Sequence, residues 1–186
     1  AQSEVNAAAC SLPGNPQVIN LEPNCFSDVL QCIRQVALAA QCEALGETYV
    51  EQLQRRIDHV AQQSNTIKHH PDVLLLEWID PLFCAGHWNP ELVHLAGGHS
   101  VFGKPGERSV TTSWSEILTA DPEVMVVACC GFGVERTMQD LPILQNKPGW
   151  QSLRCVKDGR VHVVDGSAYF NRPGPRLVDS LEILAN

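Results

Sequence analysis

The sequence predicts an α/β protein: a parallel, three-layer sheet preceded by one long helix that suits a connecting strut. Three observations predict it. The apolar runs Val73–Leu76 and Val124–Cys129 are short, rich in branched residues and bounded by turn formers, as strands buried on both faces are. Segments with helical spacing alternate with these runs from Asp72 onward, the pattern of a three-layer sheet. Ahead of them, Tyr49, Val50, Leu53, Ile57, Val60, Ala61 and Ile67 share one helical stripe. That helix covers about 20 residues, or roughly 30 Å, more than a small α/β unit needs.

In order, Gln17–Leu21 is predicted as a short strand ended by Glu22-Pro23-Asn24. Val29, Leu30, Ile33, Val36, Ala37 and Ala40 then predict a helix behind a Ser27 N-cap, ending near Gly46. The long helix follows and closes at His69-His70-Pro71. Val73–Glu77 is a buried strand. Asn89-Pro90-Glu91 opens a helix with an N-cap, a first-turn proline and an acid for the dipole, and Gly97-Gly98 stops it. His99–Phe102 is a short strand. Ser113 and Glu116 have capping-box spacing and open a helix through Ala120. The Val124–Cys129 strand leads through Gly131-Phe132-Gly133 into a helix ending near Asp140. Lys157-Asp158-Gly159 is a turn, Val161–Val164 a strand, and Leu177–Leu184 a terminal helix behind Pro173 and Pro175.

Composition excludes several classes. The chain has 186 residues, 44% hydrophobic and 18% charged, too apolar for disorder. Its formal net charge of −8, with no Lys/Arg cluster, argues against a nucleic-acid partner. No apolar run approaches the roughly 18 residues needed to span a bilayer, so no membrane insertion is expected. The eight cysteines include no C-x-x-C pair, and Cys129-Cys130 sit within an apolar run. This usage leans towards a reducing compartment. Ala1-Gln2-Ser3-Glu4 shows no export signal, which points the same way.

In parallel α/β sheets, ligands bind beyond the carboxyl ends of the strands. Trp78, Asp80 and Phe83 follow the first strand here; Gly131, Phe132 and Gly133 follow the second; Tyr169, Phe170, Asn171 and Arg172 follow the third. Right-handed crossovers place these loops on one edge. Aromatic faces, one cation and a few amide donors suit a large, flat, amide-decorated ligand better than a small polar one. The plainer alternative is that Trp78 and Phe132 only cover the rim of the core.

Rival chemistries fit less well. Gly131-x-Gly133 resembles a dinucleotide fingerprint, but Arg136 replaces the third glycine and the next acid, Asp165, is too far along. Cys84, His87, His94 and His99 lack the spacing of zinc fingers, so no metal is expected. A nucleophilic Cys129 or Cys130 is disfavoured because apolar surroundings raise a thiol pKa. No catalytic constellation remains, and no catalytic cofactor is implied.

Several segments occur in the order of one known family: Glu77-Trp78-Ile79-Asp80-Pro81-Leu82-Phe83, Ala96-Gly97-Gly98, Asp121-Pro122-Glu123-Val124, Pro148-Gly149-Trp150 and Gly159-Arg160-Val161. The closing run is Tyr169-Phe170-Asn171-Arg172-Pro173-Gly174-Pro175-Arg176-Leu177. Together they resemble the substrate-binding proteins of ABC transporters for vitamin B12 (cobalamin) and iron-siderophores, the cobalamin branch most. The resemblance implies two Rossmann-like lobes, each on a parallel sheet, joined by one long helix, with residues 1–46 a remnant of the N-terminal lobe, 47–70 the connecting helix and 71–186 the C-terminal Rossmann-like ligand-binding lobe. It implies a truncated form with cobalamin as candidate ligand, an iron-siderophore or haem as runner-up, and Phe83, Tyr169 and Arg172 facing the ligand. An ABC permease partner and a periplasmic or other extracytoplasmic location are implied too. The family's docking glutamate falls on Ser115 here, with Glu116 beside it. Outside transport, a protein-interaction module or a non-functional fragment is the alternative.

Overall fold

A computed structural model describes residues 2–14 and 16–186; Ala1, read above for an export signal, and Asn15 lie outside them. A short helix α1 (Gln2–Cys10) comes first. The segment predicted as a strand, Gln17–Leu21, is irregular. Val18, Ile19 and Leu21 stay exposed because no neighbouring strand pairs with them. Helix α2 (Phe26–Ala39) starts one residue before the expected Ser27 cap. Its N-cap is Cys25, and the Asp28 carboxylate accepts from the backbone N–H of Asn24 and of Cys25. Helix α3 (Glu43–Ser64) is the long one, 22 residues or about 33 Å.

The sheet is built around β1 (Asp72–Trp78). Along one edge of β1 run two short strands. β3 (His99–Ser100) is parallel to its start, and β2 (Phe83–Cys84) is antiparallel to its end. Strand β4 (Val110–Thr111) pairs antiparallel with β2. Along the other edge lies β5 (Val124–Val127), then β6 (Val161–Val163), both parallel. The predicted parallel strands are therefore present, and the antiparallel β2–β4 ribbon is an addition to them. Two-residue strands carry no periodicity that a sequence pattern could reveal.

Helix α4 (Asn89–Leu95) has Pro90 in its first turn and ends at Gly97, whose φ of +91° only glycine adopts cheaply. Helix α5 (Trp114–Ala120) carries the predicted capping box: Ser113 accepts from the Glu116 N–H, and Glu116 reaches back to the Ser113 N–H at 2.7 Å. Helix α6 (Val134–Gln145) runs five residues beyond Asp140 because Pro142 lies inside it without ending it. A 3₁₀ turn (Trp150–Ser152), α7 (Arg154–Lys157), a π-type turn (Gly166–Phe170) and α8 (Leu177–Ala185) complete the chain.

Because side chains alternate along a strand, β1 sends Leu74 and Leu76 to one face and Val73 and Leu75 to the other. Leu74 and Leu76 pack with Met125, Val127, Ile117, Leu141, Leu144 and Trp150 beneath α5 and α6. Val73 and Leu75 pack with Val126, Ala128, Val93 and Phe170. Helices α2 and α3 lie outside this second layer, sharing a core of Val29, Leu53, Ile57 and Val60 with Leu92, Leu177 and Leu181 of α4 and α8. The long helix is thus bound to the sheet lobe along its length. Arg56 reinforces the junction, donating to Glu182 at 2.8 and 2.6 Å and to Asp179 at 2.6 Å. No helix among the described residues is long and apolar enough to cross a membrane.

Hydrogen bonds from Arg56 hold the Glu182 carboxyl below its ordinary range. A depressed carboxylate stabilises the fold fully above about pH 4.3 and ceases to do so as acid carries the pH through the lower folded-state value. Urea unfolding is expected to show Leu181→Ala losing about 2–5 kcal/mol through the cavity it leaves. Arg56→Ala, whose ion pairs are partly exposed, loses about 1 kcal/mol or less. The difference in unfolding midpoint between pH 6 and pH 3.5 is smaller in Arg56→Ala than in the parent chain.

Candidate ligand-binding rim

The carboxyl ends of β1, β5 and β6 and the loops that follow them form one rim. Trp78, the last residue of β1, has the parity of Leu74 and Leu76 and packs on their face. Its indole N–H donates to the Asp80 carbonyl at 2.9 Å, fixing the ring over the turn. Phe132 lies on the same face, its ring centroid 5.0 Å from that of Trp78 with the planes at 44°. Both rings are half-buried, presenting one side to the core and the other to solvent. Phe83 opens β2 directly opposite Trp78 in the pairing register.

The cation at this shelf is Arg136. It lies in the first turn of α6, with its guanidinium carbon 4.5 Å from the Phe132 centroid. Asp140, four residues on, holds it at 2.7 Å. The sequence presented Arg136 only as a misfit in a glycine motif. The available signal was its spacing, since a residue four beyond Phe132 at the opening of a helix can fold back over the preceding loop.

The third loop is tied to the second by one backbone and one side-chain hydrogen bond. Ser167 N–H donates to the Phe132 carbonyl at 3.2 Å, and the Asn171 side-chain amide donates to the Ala128 carbonyl at 2.8 Å. A side chain at Gly166 would collide with the Ala128 and Cys129 carbonyls, so only glycine lets the loops approach this closely. Asp165 caps the π-type turn, accepting from Ala168 N–H at 2.7 Å. It sits beside Gly133 as a structural cap rather than the distant acid of a dinucleotide site.

Four expected site residues require comment. Phe170 is 0% exposed in the core layer beside Val73 and Leu75, so it is a packing residue and not part of the rim. Its carbonyl accepts the Trp88 indole N–H at 2.8 Å. Tyr169 packs against that same layer, on the sheet face opposite Trp78, and its carbonyl accepts the Ser180 hydroxyl at 2.7 Å. Asn171 commits its amide N–H to Ala128, which leaves it a loop tie. Arg172 is exposed, and among the described residues no hydrogen bond or ion pair holds it. The structure therefore joins Trp78, Phe132 and Phe83, replaces Arg172 by Arg136 as the cation against the rings, and leaves Gly131 as an exposed turn at φ +75°.

Two thiols near the rim are held protonated by burial. Burial pushes the Cys129 thiol up, and burial with nearby carboxylates pushes Cys84 up to about 12. All eight cysteines are unpaired, and Cys130, at the end of the β5 loop, is exposed.

A profile of the periplasmic binding proteins matches residues 11–168. The chain belongs to that family. Its members bind solutes and do not transform them. A search of curated protein sequences finds no match. Among solved structures, an ABC transporter substrate-binding protein from Listeria monocytogenes EGD-e superposes with a TM-score of 0.82 at 16% identity, covering 99% of this chain and 71% of the other. The periplasmic haem-binding protein RhuT from Roseiflexus sp. RS-1 gives 0.77 at 23% identity, covering 99% and 68%. The vitamin B12 binding protein BtuF of Vibrio cholerae gives 0.74 at 15% identity, also covering 99% and 68%. The chain spans 65% of a solute-binding protein from Staphylococcus epidermidis and 55% of one from Veillonella parvula.

Denaturant unfolding separates the core aromatic from the surface cation. Phe170→Ala is expected to lose about 3–5 kcal/mol of stability, whereas Arg172→Ala stays within about 0.5 kcal/mol of the parent.

Proposed function

We propose that this protein is the solute-binding component of an ABC-type importer and takes a large planar macrocycle, with cobalamin or a related corrinoid as first candidate and haem or an iron-siderophore as alternative. The observation that carries this reading is the aromatic shelf of Trp78 and Phe132 with Arg136 against it, at the sheet edge where α/β proteins hold ligands. Two tilted rings offer apolar area to a flat ligand without a deep pocket. A guanidinium beside them supplies a charge-assisted bond to a phosphate, a carboxylate or an amide arm. Neighbours named for vitamin B12 and for haem share the fold to a similar degree, which supports the ligand class and leaves the choice within it to experiment.

The same reading assigns residues 1–46 to the remnant of a first lobe, 47–70 to the connecting helix and 71–186 to the lobe that carries the rim. An apolar groove of about 390 Å³ between α2 and α3, lined by Ile33, Val36, Leu45 and Tyr49, supports it, because such a surface is normally covered. Docking to a permease falls on the exposed start of α5. Glu116 there is engaged by Ser113 and Thr112, and the Ser115 hydroxyl shares a hydrogen bond of 2.9 Å with Ser113 Oγ.

Titration of cyanocobalamin, haemin and a ferric hydroxamate, followed by tryptophan fluorescence and ligand absorbance, tests the proposal. One of the three is expected to saturate at one per chain. Trp78→Ala and Arg136→Ala then each weaken binding about tenfold, roughly 1.4 kcal/mol. Arg172→Ala leaves it unchanged. Affinity that survives Trp78→Ala and Arg136→Ala but falls with Arg172→Ala would move the site to the other face of the sheet.

A further inference from the structure

We propose that His94 and His99 form a two-imidazole surface site for a divalent transition-metal ion of the zinc, nickel or copper type, at the end of the sheet opposite the aromatic shelf. His94 is in the last turn of α4 and His99 opens β3, so the pair spans the Gly97-Gly98 turn. Their ring centroids are 6.2 Å apart with the planes at 50°, and both side chains are exposed. Each Nδ1 faces an oxygen that can only accept: His99 faces Asp72 Oδ1 at 2.8 Å, and His94 faces the Gly98 carbonyl at 3.3 Å. The proton of each neutral ring is therefore placed on Nδ1, which leaves the Nε2 lone pair of both rings free.

A histidine backed through one nitrogen by a carboxylate or a carbonyl, with the other nitrogen open, is the arrangement that metal-ligating histidines use. Asp72 is itself held from behind, its second oxygen 3.7 Å from the Arg154 guanidinium. With metal–nitrogen bonds of about 2.0–2.1 Å, two imidazoles on a tetrahedral ion place their ring centres about 5 Å apart. The remaining ~1 Å is a small displacement shared by two exposed rings, each keeping its Nδ1 contact. Imidazole nitrogen suits zinc, nickel and copper rather than magnesium or calcium. Among the described residues no three histidine, cysteine or carboxylate side chains converge to hold a metal, so water completes the coordination. An ion held here clips the end of α4 to β3 and stabilises the folded chain by binding it alone. The sequence spacing set His94 and His99 beside Cys84 and His87; the fold separates them, since Cys84 is buried in β2 and the His87 ring lies tilted against Trp88, its centroid 5.6 Å away.

The test is calorimetric titration of nickel chloride into the full chain with Cys10 and Cys130 changed to serine, which removes the exposed thiols. One ion per chain is expected. His94→Gln or His99→Gln weakens it at least tenfold, while His70→Gln, whose ring bonds the Gly97 carbonyl at 2.7 Å, leaves it unchanged. The ion also raises the thermal unfolding midpoint of the parent and not of the two variants. Absence of binding by the parent, binding retained in His94→Gln and His99→Gln, or an equal loss in His70→Gln overturns the proposal.

Discussion

Burial of β1 on both faces is the constraint on which the rest of the molecule depends. Leu74 and Leu76 are 0% exposed on one side, Val73 and Leu75 nearly so on the other. A strand shielded twice must have a layer of helices above and another below, which α5 and α6 supply on one side and α4 and α8 on the other. The same alternation decides what happens where the strand stops. Trp78, two residues after Leu76, inherits its face, and the ring emerges where the helical cover ends. The shelf is the continuation of a packing pattern beyond the point where there is protein left to pack against.

Much of this was legible in the chain because local chemistry and burial agreed. The β1 and β5 runs, the Gly97 stop and the Ser113–Glu116 box each announce themselves by residue type and spacing, and each occurs where the spacing puts it. The misses have a common physical origin in tertiary context. Val18, Ile19 and Leu21 have the apolar character of a short strand, yet a strand needs a partner and among the described residues none pairs with them. Strands β2 and β4 are too short to carry a period and are defined by the ladder that joins them. The helix read as ending near Asp140 continues to Gln145 with Pro142 inside it.

The rim itself was half legible. Aromatics after strands are visible in sequence, and Trp78 and Phe132 do meet. Which face each loop residue takes is not visible there. Phe170 and Tyr169 follow a turn whose bend is set by the close approach of Gly166 to the Ala128 carbonyl, and that bend sends both rings to the layer of Val73 and Leu75. Arg136 was hidden for the opposite reason. It belongs to a helix, and its place over Phe132 follows from how sharply the chain turns between Cys129 and Val134, where Phe132 N–H closes back on the Cys129 carbonyl at 3.1 Å.

The two outer strands of the sheet are short: β4 has two residues on one flank and β6 three on the other. A ladder that short exposes few unpaired N–H and C=O groups to another molecule. Sheet-to-sheet joining between copies therefore finds little template along either border.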